Sequence, residues 1–184
     1  MLEQADKDDN IEVYFSDAVH LIYGGYTGYC WCINRVQVKS AYGRQRVNCL
    51  GFLDSKTNQI ITEINDSYIN HESVINGLRK LRKINGDKVI YVILDNARYQ
   101  NCKAVKEEAE GLKIILIFLP AYSPNLNLIE RFWKFLRKEL LENKYIETFK
   151  EYMASISEFI SKAHINSKEK LNSLLTHNFE ILGE

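Results

Sequence analysis

With 184 residues, 46% of them apolar, the chain can bury a real core and has the size of one domain. Its 24 basic and 24 acidic side chains cancel, so overall charge gives no argument for nucleic-acid binding. The apolar runs are short and interrupted by charge, and the N-terminal MLEQADKDDN is acidic; this reads against a membrane span or a secretory signal and predicts a cytoplasmic protein.

The first half of the chain reads as strands. Ile11, Val13 and Phe15 alternate with Glu12, Tyr14 and Ser16, and the period of two carries the apolar row into Asp17, where the strand is expected to end. YGGYTG (23–28) follows as a glycine-rich turn. Further strand candidates are 29–38, 46–54 and, across the turn signal DSKTN, 59–65, with the spacing of an antiparallel meander. The four cysteines lie at 30, 32, 49 and 102. Cys30-Trp31-Cys32 is too tight for a zinc knuckle, so reduced thiols are expected.

Near residue 70 the period changes. In HESVINGLRKLRKIN (71–85), Val74, Ile75, Leu78, Leu81 and Ile84 recur at helical spacing. VIYVIL (89–94) is a continuous apolar run, typical of a strand covered on both faces. A polar helix over 98–110, stopped at Gly111, leads to a second buried strand, IILIFL (114–119). Helices are then expected over 126–142, 148–163 and 167–176. This order predicts one α/β domain, with a mixed sheet of antiparallel and then parallel strands flanked by helices. Residues 1–10 would form an acidic leader, 11–142 the core and 143–184 C-terminal helices.

Three acids stand out against this frame. Asp17 and Asp95 each follow an apolar strand row, which brings both to the end of the sheet where ligands meet open α/β folds. Each also has a bland reading, as a turn former or helix cap. Glu130, in LPAYSPNLNLIERFWKF (119–135), fits two helix starts. Asn127 could cap the helix with Glu130 closing a capping box. Alternatively the helix starts at Ser123-Pro124, leaving Glu130 two turns in beside Leu126 and Trp133. Converging, Asp17, Asp95 and Glu130 would form an oxygen-only ligand set suited to Mg²⁺ or Mn²⁺. Two such ions about 4 Å apart serve phosphodiester cleavage or transfer. The basic stretches at 79–88 and 131–150 suit a phosphate track as well as a solvated face.

The phrases VILDNARYQN and LPAYSPNLNLIERFWKFLRKEL resemble the catalytic core of DDE transposases of the mariner-type superfamily, especially the bacterial insertion sequence six-thirty family. The 34 residues between Asp95 and Glu130 match the spacing of that branch. The resemblance implies a ribonuclease-H-like fold with a five-stranded sheet. It also implies a metal-binding triad of Asp17, Asp95 and Glu130 holding two Mg²⁺ ions, with Mn²⁺ able to substitute. The implied reaction is cleavage of transposon ends followed by strand transfer into target DNA. Asn96, Arg98, Tyr122 and Asn127 match motif neighbours with supporting roles, and Lys134, Arg137 and Lys138 are expected to meet DNA phosphates.

Partners implied by the resemblance are DNA, a second copy in a homodimer and a helix-turn-helix module, here separate or missing, in a bacterial or archaeal cytosol or nucleoid. The chain has Ala18 where the family often has an acid, and Gln100 where it often has His. Two other readings stay open: a nuclease that only hydrolyses, and an inactive remnant that binds DNA or dimerises.

Overall fold

The computed structural model describes residues 2–24, 32–33, 45–120, 123–142 and 144–179. The expected turn at 23–28 and strand at 29–38 lie almost wholly outside these residues, as do Cys30 and Tyr122. A short helix α1 (Leu2–Ala5), its Ala5 buried, occupies the expected acidic leader. It is followed by β1 (Ile11–Ile22), β2 (Arg46–Asp54) and β3 (Ile60–Asn65). Then come α2 (His71–Asn85), β4 (Val89–Leu94), α3 (Lys103–Gly111) and β5 (Ile114–Phe118). A 3-10 turn (Pro124–Leu126) leads to α4 (Leu128–Leu136), a π turn (Arg137–Leu141), α5 (Phe149–Asn166) and α6 (Lys168–Leu174).

The five strands form one sheet in the order β3-β2-β1-β4-β5. β3, β2 and β1 are antiparallel neighbours, while β1, β4 and β5 run parallel. This is the mixed sheet expected from the sequence, because a short turn joins β2 to β3 and helices α2 and α3 supply the crossovers.

Both faces of the sheet are covered. Val13, Phe15, Val19, Leu21, Cys49 and Ile93 pack with residues of α4, α5 and α6. Tyr14, Leu50, Phe52, Ile90, Val92 and Leu94 pack with α2 and α3 on the other side. The even row of β1 is therefore buried as well from Glu12 to Ser16, Ser16 completely, and becomes exposed at His20 and Ile22.

Three expectations need correction. β1 does not end at Asp17 but continues to Ile22, because β2 pairs with it along that whole stretch, Asp17 opposite Gly51. α3 starts at Lys103 rather than 98, because Asn96–Cys102 forms a turn in which the backbone amides of Gln100 and Asn101 both bond the Ala97 carbonyl. The helix expected over 126–142 is three pieces, with α4 set off by the 3-10 turn before it and the π turn after it.

Candidate active site

The parallel pairing of β1 with β4 ends at Ser16 opposite Leu94. Asp17 and Asp95 are the next residue on each strand, so both acids lie one step past the last shared rung. Because side chains alternate along a strand, Asp17 shares its face with Phe15 and Val19, and Asp95 follows the parity of Ile93. Those residues face α4. Both aspartates are thus on the side of the sheet that carries the helix bearing Glu130.

α4 is brought in close by two contacts. Gly51, the partner of Asp17 across β2, has no side chain, and a Cβ there would lie 2.7 Å from Ile129 Cδ1 and 2.7 Å from Trp133 Cζ2. At the start of α4, Asn127 Nδ2 donates to the Ser16 carbonyl at 3.1 Å.

Both readings of the helix start are corrected by this arrangement. Asn127 is the N-cap residue but its side chain makes no capping bond, since β1 has drawn the amide away, so the box with Glu130 does not form. Nor does the helix begin at Pro124. Glu130 lies in the first turn of α4, half-buried, where the helix dipole favours a negative charge.

The three carboxylates feel one another. Burial pushes Asp17 up to about 7, and the charges of Asp95 and Glu130 add to the effect. Burial also raises Asp95, against hydrogen-bond donors at Gln100 and at the Ala97 backbone. Glu130 is raised by burial and by Asp95, while Lys134 and Arg137 pull it down.

Several polar atoms here are buried with no partner among the described residues: Ser16 Oγ, Asp95 Oδ1, Gln100 Oε1, Asn127 Oδ1, Trp133 Nε1 and Arg137 Nε. The Trp133 indole N–H lies near enough to Asp17 to lower its pKa a little, without reaching hydrogen-bond geometry with it or with any other described group. Such a concentration of unsatisfied groups at one end of a sheet is a mark of a functional site.

Among the described residues no three acidic, histidine or cysteine side chains are gathered tightly enough to form a ligand cluster as they stand. The donors present nevertheless fit a hard divalent cation. They are all carboxylate oxygens, mutually repelling and half to largely buried, and one of them, Asp95 Oδ1, is an orphan acceptor.

The other residues singled out in the sequence divide. Asn127 is buried beside Asp17. Asn96 is exposed and accepts from Asn101 Nδ2 at 2.6 Å, stiffening the turn after Asp95. Arg98 is exposed and bonds nothing among the described residues. Lys134 and Arg137 are close enough to act on Glu130, whereas Lys138 is exposed farther along the π turn.

Tyr99 and Gly51 escaped sequence reasoning, and the parts that Gln100 and Trp133 play in the site were not foreseen. Tyr99 has its hydroxyl pKa raised by burial and by the charges of Asp95 and Asp17. Gln100 is fully buried against Asp95, Trp133 lies beside Asp17, and Gly51 makes room for α4. Gln100 carried a signal as the residue standing where the resembling family often has His, and Trp133 as a neighbour of Glu130 on one helix face.

Residues 12–152 match the family described as DDE superfamily endonuclease. No curated protein sequence matches the chain. Among solved structures, the Mos1 mariner paired-end complex with Mn is similar at a TM-score of 0.61 and 14% identity, over 95% of this chain and 56% of that one. The Mos1 transposase catalytic domain with raltegravir and Mg aligns at a TM-score of 0.53 and 14% identity, over 98% of this chain and 92% of that one. A simian T-cell lymphotropic virus intasome in complex with a PP2A regulatory subunit gives 0.50 and 12%, over 84% and 49%. The chain therefore spans little more than half of the Mos1 chain in the paired-end complex. The likeness is one of fold, and the mixed five-stranded sheet flanked by helices is ribonuclease-H-like. With a family match over well more than half its length, on a fold similar to that of the Mos1 transposase catalytic domain, the chain belongs to the DDE superfamily endonuclease family.

Proposed function

We propose that this chain is the catalytic domain of a DNA transposase of the insertion sequence six-thirty branch, cutting transposon ends and joining them to target DNA. The observation that carries the reading is the meeting of three mutually repelling, partly buried acids from β1, β4 and α4 at one end of the sheet. Their charge would be intolerable without a cation, and Asp17, Asp95 and Glu130 would hold two Mg²⁺ ions, or Mn²⁺ in their place. When bound, such ions supply an activated nucleophile and stabilise the leaving oxygen of an in-line phosphoryl displacement.

The remaining work falls to the chain itself. The amide of Asn127 fixes the start of α4 against β1, so that Glu130 faces the two aspartates. Glu130, its pKa raised, is suited to accept a proton from attacking water. Lys134 and Arg137 beside it, and Lys138 beyond, would take DNA phosphates and set the strand against the acids. Asn96 would keep the turn after Asp95 rigid, with Arg98 and Tyr122 in supporting roles. Two ends must be handled together, which calls for a homodimer and for a helix-turn-helix module that reads the ends. No described helix is long and apolar enough to cross a membrane, and the chain would act in the cytosol or nucleoid.

Nicking of supercoiled plasmid in Mg²⁺ tests the reading, with Asp95→Ala beside the wild type. Nicking that survives the substitution sinks the triad. Joining of a pre-cut transposon end then separates a transposase from a nuclease that only hydrolyses, and calorimetric titration with Mn²⁺ reports the metal site without DNA.

A further inference from the structure

Two cavities lie along one side of α4. The first, about 600 Å³, reaches Glu130 and is walled by Arg131, Lys134, Leu174, Thr176 and Asn178. The second, about 850 Å³, shares Arg131, Lys134, Ser173 and Leu174 and extends to Phe135 and Lys138. Through the shared residues they form one groove between α4 and α6, with the carboxylate site at one end.

We propose that this groove is the track of one DNA strand leaving the carboxylates, with phosphates on Lys134 and Lys138 and sugars toward the apolar floor at Phe135. The inference rests on the catalytic reading above and adds to it a second wall, from α6 and the segment after it.

The charges in the groove are not equivalent. Arg131 is committed to the chain: Nη1 donates to the carbonyls of Leu174 (3.3 Å) and Thr176 (3.0 Å), and Nη2 to that of Asn178 (3.0 Å). Its guanidinium also lies 6.0 Å from the centre of the Phe179 ring. Arg131 therefore builds the wall and has little left for a ligand. Lys170 is paired with Glu139 at 3.0 Å. Lys134 and Lys138, about one helical turn apart, make no ion pair among the described residues; Lys134 feels Glu130 at the carboxylate end, and Glu169 stands on the far side.

The floor is apolar. Phe135 packs on Phe132 and Phe159, with ring centres 6.3 and 5.8 Å away, and keeps 8% of its surface exposed. Across from it, the exposed side chains of Ser173, Thr176 and Asn178 offer polar groups at the rim. Lysines without ion-pair partners along a groove with an apolar floor suit the backbone of a single strand, held without reading its sequence.

The test is fluorescence anisotropy of a labelled single-stranded oligonucleotide with the full chain, without metal, over a series of salt concentrations. Wild type should bind, with an affinity that falls steeply with salt. Lys134→Ala with Lys138→Ala should weaken binding at least tenfold and flatten the log–log salt slope by about 1.4, two single-strand phosphate contacts. Ser173→Trp, and separately Thr176→Trp, block the groove from exposed positions without changing charge, and each should weaken binding comparably. Tryptophan variants that bind like wild type would show the lysines acting on open surface and overturn the groove.

No oligonucleotide binding at about 10⁻⁴ M protein would also overturn it, leaving the groove to a protein segment. Asp95→Asn should bind the oligonucleotide normally yet fail to nick. If it nicks, the catalytic reading falls and the groove stands; if it fails to nick while the groove variants bind normally, the groove falls and the catalytic reading stands.

Discussion

Asn127, at the start of α4, donates its side-chain amide to the backbone carbonyl of Ser16, 3.1 Å away and 111 residues earlier in the chain. The bond joins the helix that carries Glu130 to the strand that carries Asp17, at the residue before the aspartate. It is buried, and Asn127 gives up capping its own helix to make it. Asn127→Ala should cost about 1–3 kcal/mol, because the Ser16 carbonyl is left buried without this donor. Asn127→Asp should cost more, setting a carboxylate against a carbonyl and adding a fourth acid to the site. Thermal melts give the stability, and Mn²⁺ titration should show weaker binding in the alanine variant, whose α4 is no longer fixed. Unchanged Mn²⁺ affinity would mean that this bond serves the fold alone.

Gly51 should be as sensitive from the other side. A Cβ there runs into Ile129 and Trp133, the residues flanking Glu130 on the buried face of α4. Gly51→Ala therefore has to push α4 outward, at a cost of about 1–3 kcal/mol for overpacking. Nicking should fall by at least 10²-fold, the scale at which small misplacements act in catalysis, while oligonucleotide binding along the α4–α6 groove is kept. Nicking at the wild-type rate would show that α4 relaxes without carrying Glu130 away.

How far the sequence foretold this site depends on the range of the interaction involved. Asp95 was legible because VIYVIL is a continuous apolar run whose end is marked by the acid itself, and β4 stops at Leu94 as that predicts. α2 was legible from its apolar spacing, as was the order of elements along the chain from the change of period. The local signal at Asp17 is only partly right. Its strand continues to Ile22, and what ends after Ser16 is the pairing with β4, a property of two strands together.

The local signal at Asn127 was misleading. The sequence has the form of a capping box, yet the Asn127 side chain is turned so that Nδ2 donates to a carbonyl of β1, and Oδ1 caps nothing among the described residues. Gly51 and Arg131 had no local signal, because the groups that give them meaning are brought to them only by the fold.

The acids make stability depend on pH in an unusual direction. Folded Asp17 titrates at about 7, against an ordinary value of 3.8. Between those values the folded chain holds more protons than the unfolded chain, so stability falls as pH rises from about 4 to 7, and the loss is complete above 7. Asp17→Asn removes that loss. The variant should be inactive yet melt higher than wild type at pH 8, by the equivalent of a few kcal/mol at most, since a tenfold change in proton affinity is worth about 1.4 kcal/mol. Below about pH 4 the two should converge. Mg²⁺ or Mn²⁺ should raise the wild-type melting temperature at pH 8 far more than that of the variant. A variant that melts lower than wild type at pH 8 would show that the carboxylate is already compensated without a cation.

Arg131 follows Glu130 in sequence but faces the C-terminal segment, and three backbone carbonyls depend on it. Phe179, under its guanidinium, also meets Phe15 of β1 with ring centres 6.2 Å apart, so the segment is fastened both to α4 and to the sheet. Arg131→Ala should free this wall. Its bonds are partly exposed, so the global loss should be modest, about 1–2 kcal/mol. The local effect should be larger, with amide hydrogen exchange over residues 171–179 quickened by about tenfold or more. Arg131→Lys should recover little, because one ammonium on a flexible stem cannot span three carbonyls as the planar fork does. If exchange in that segment is unchanged in Arg131→Ala, the ring contact between Phe179 and Phe15 holds the wall by itself, and Arg131 is free to meet a phosphate.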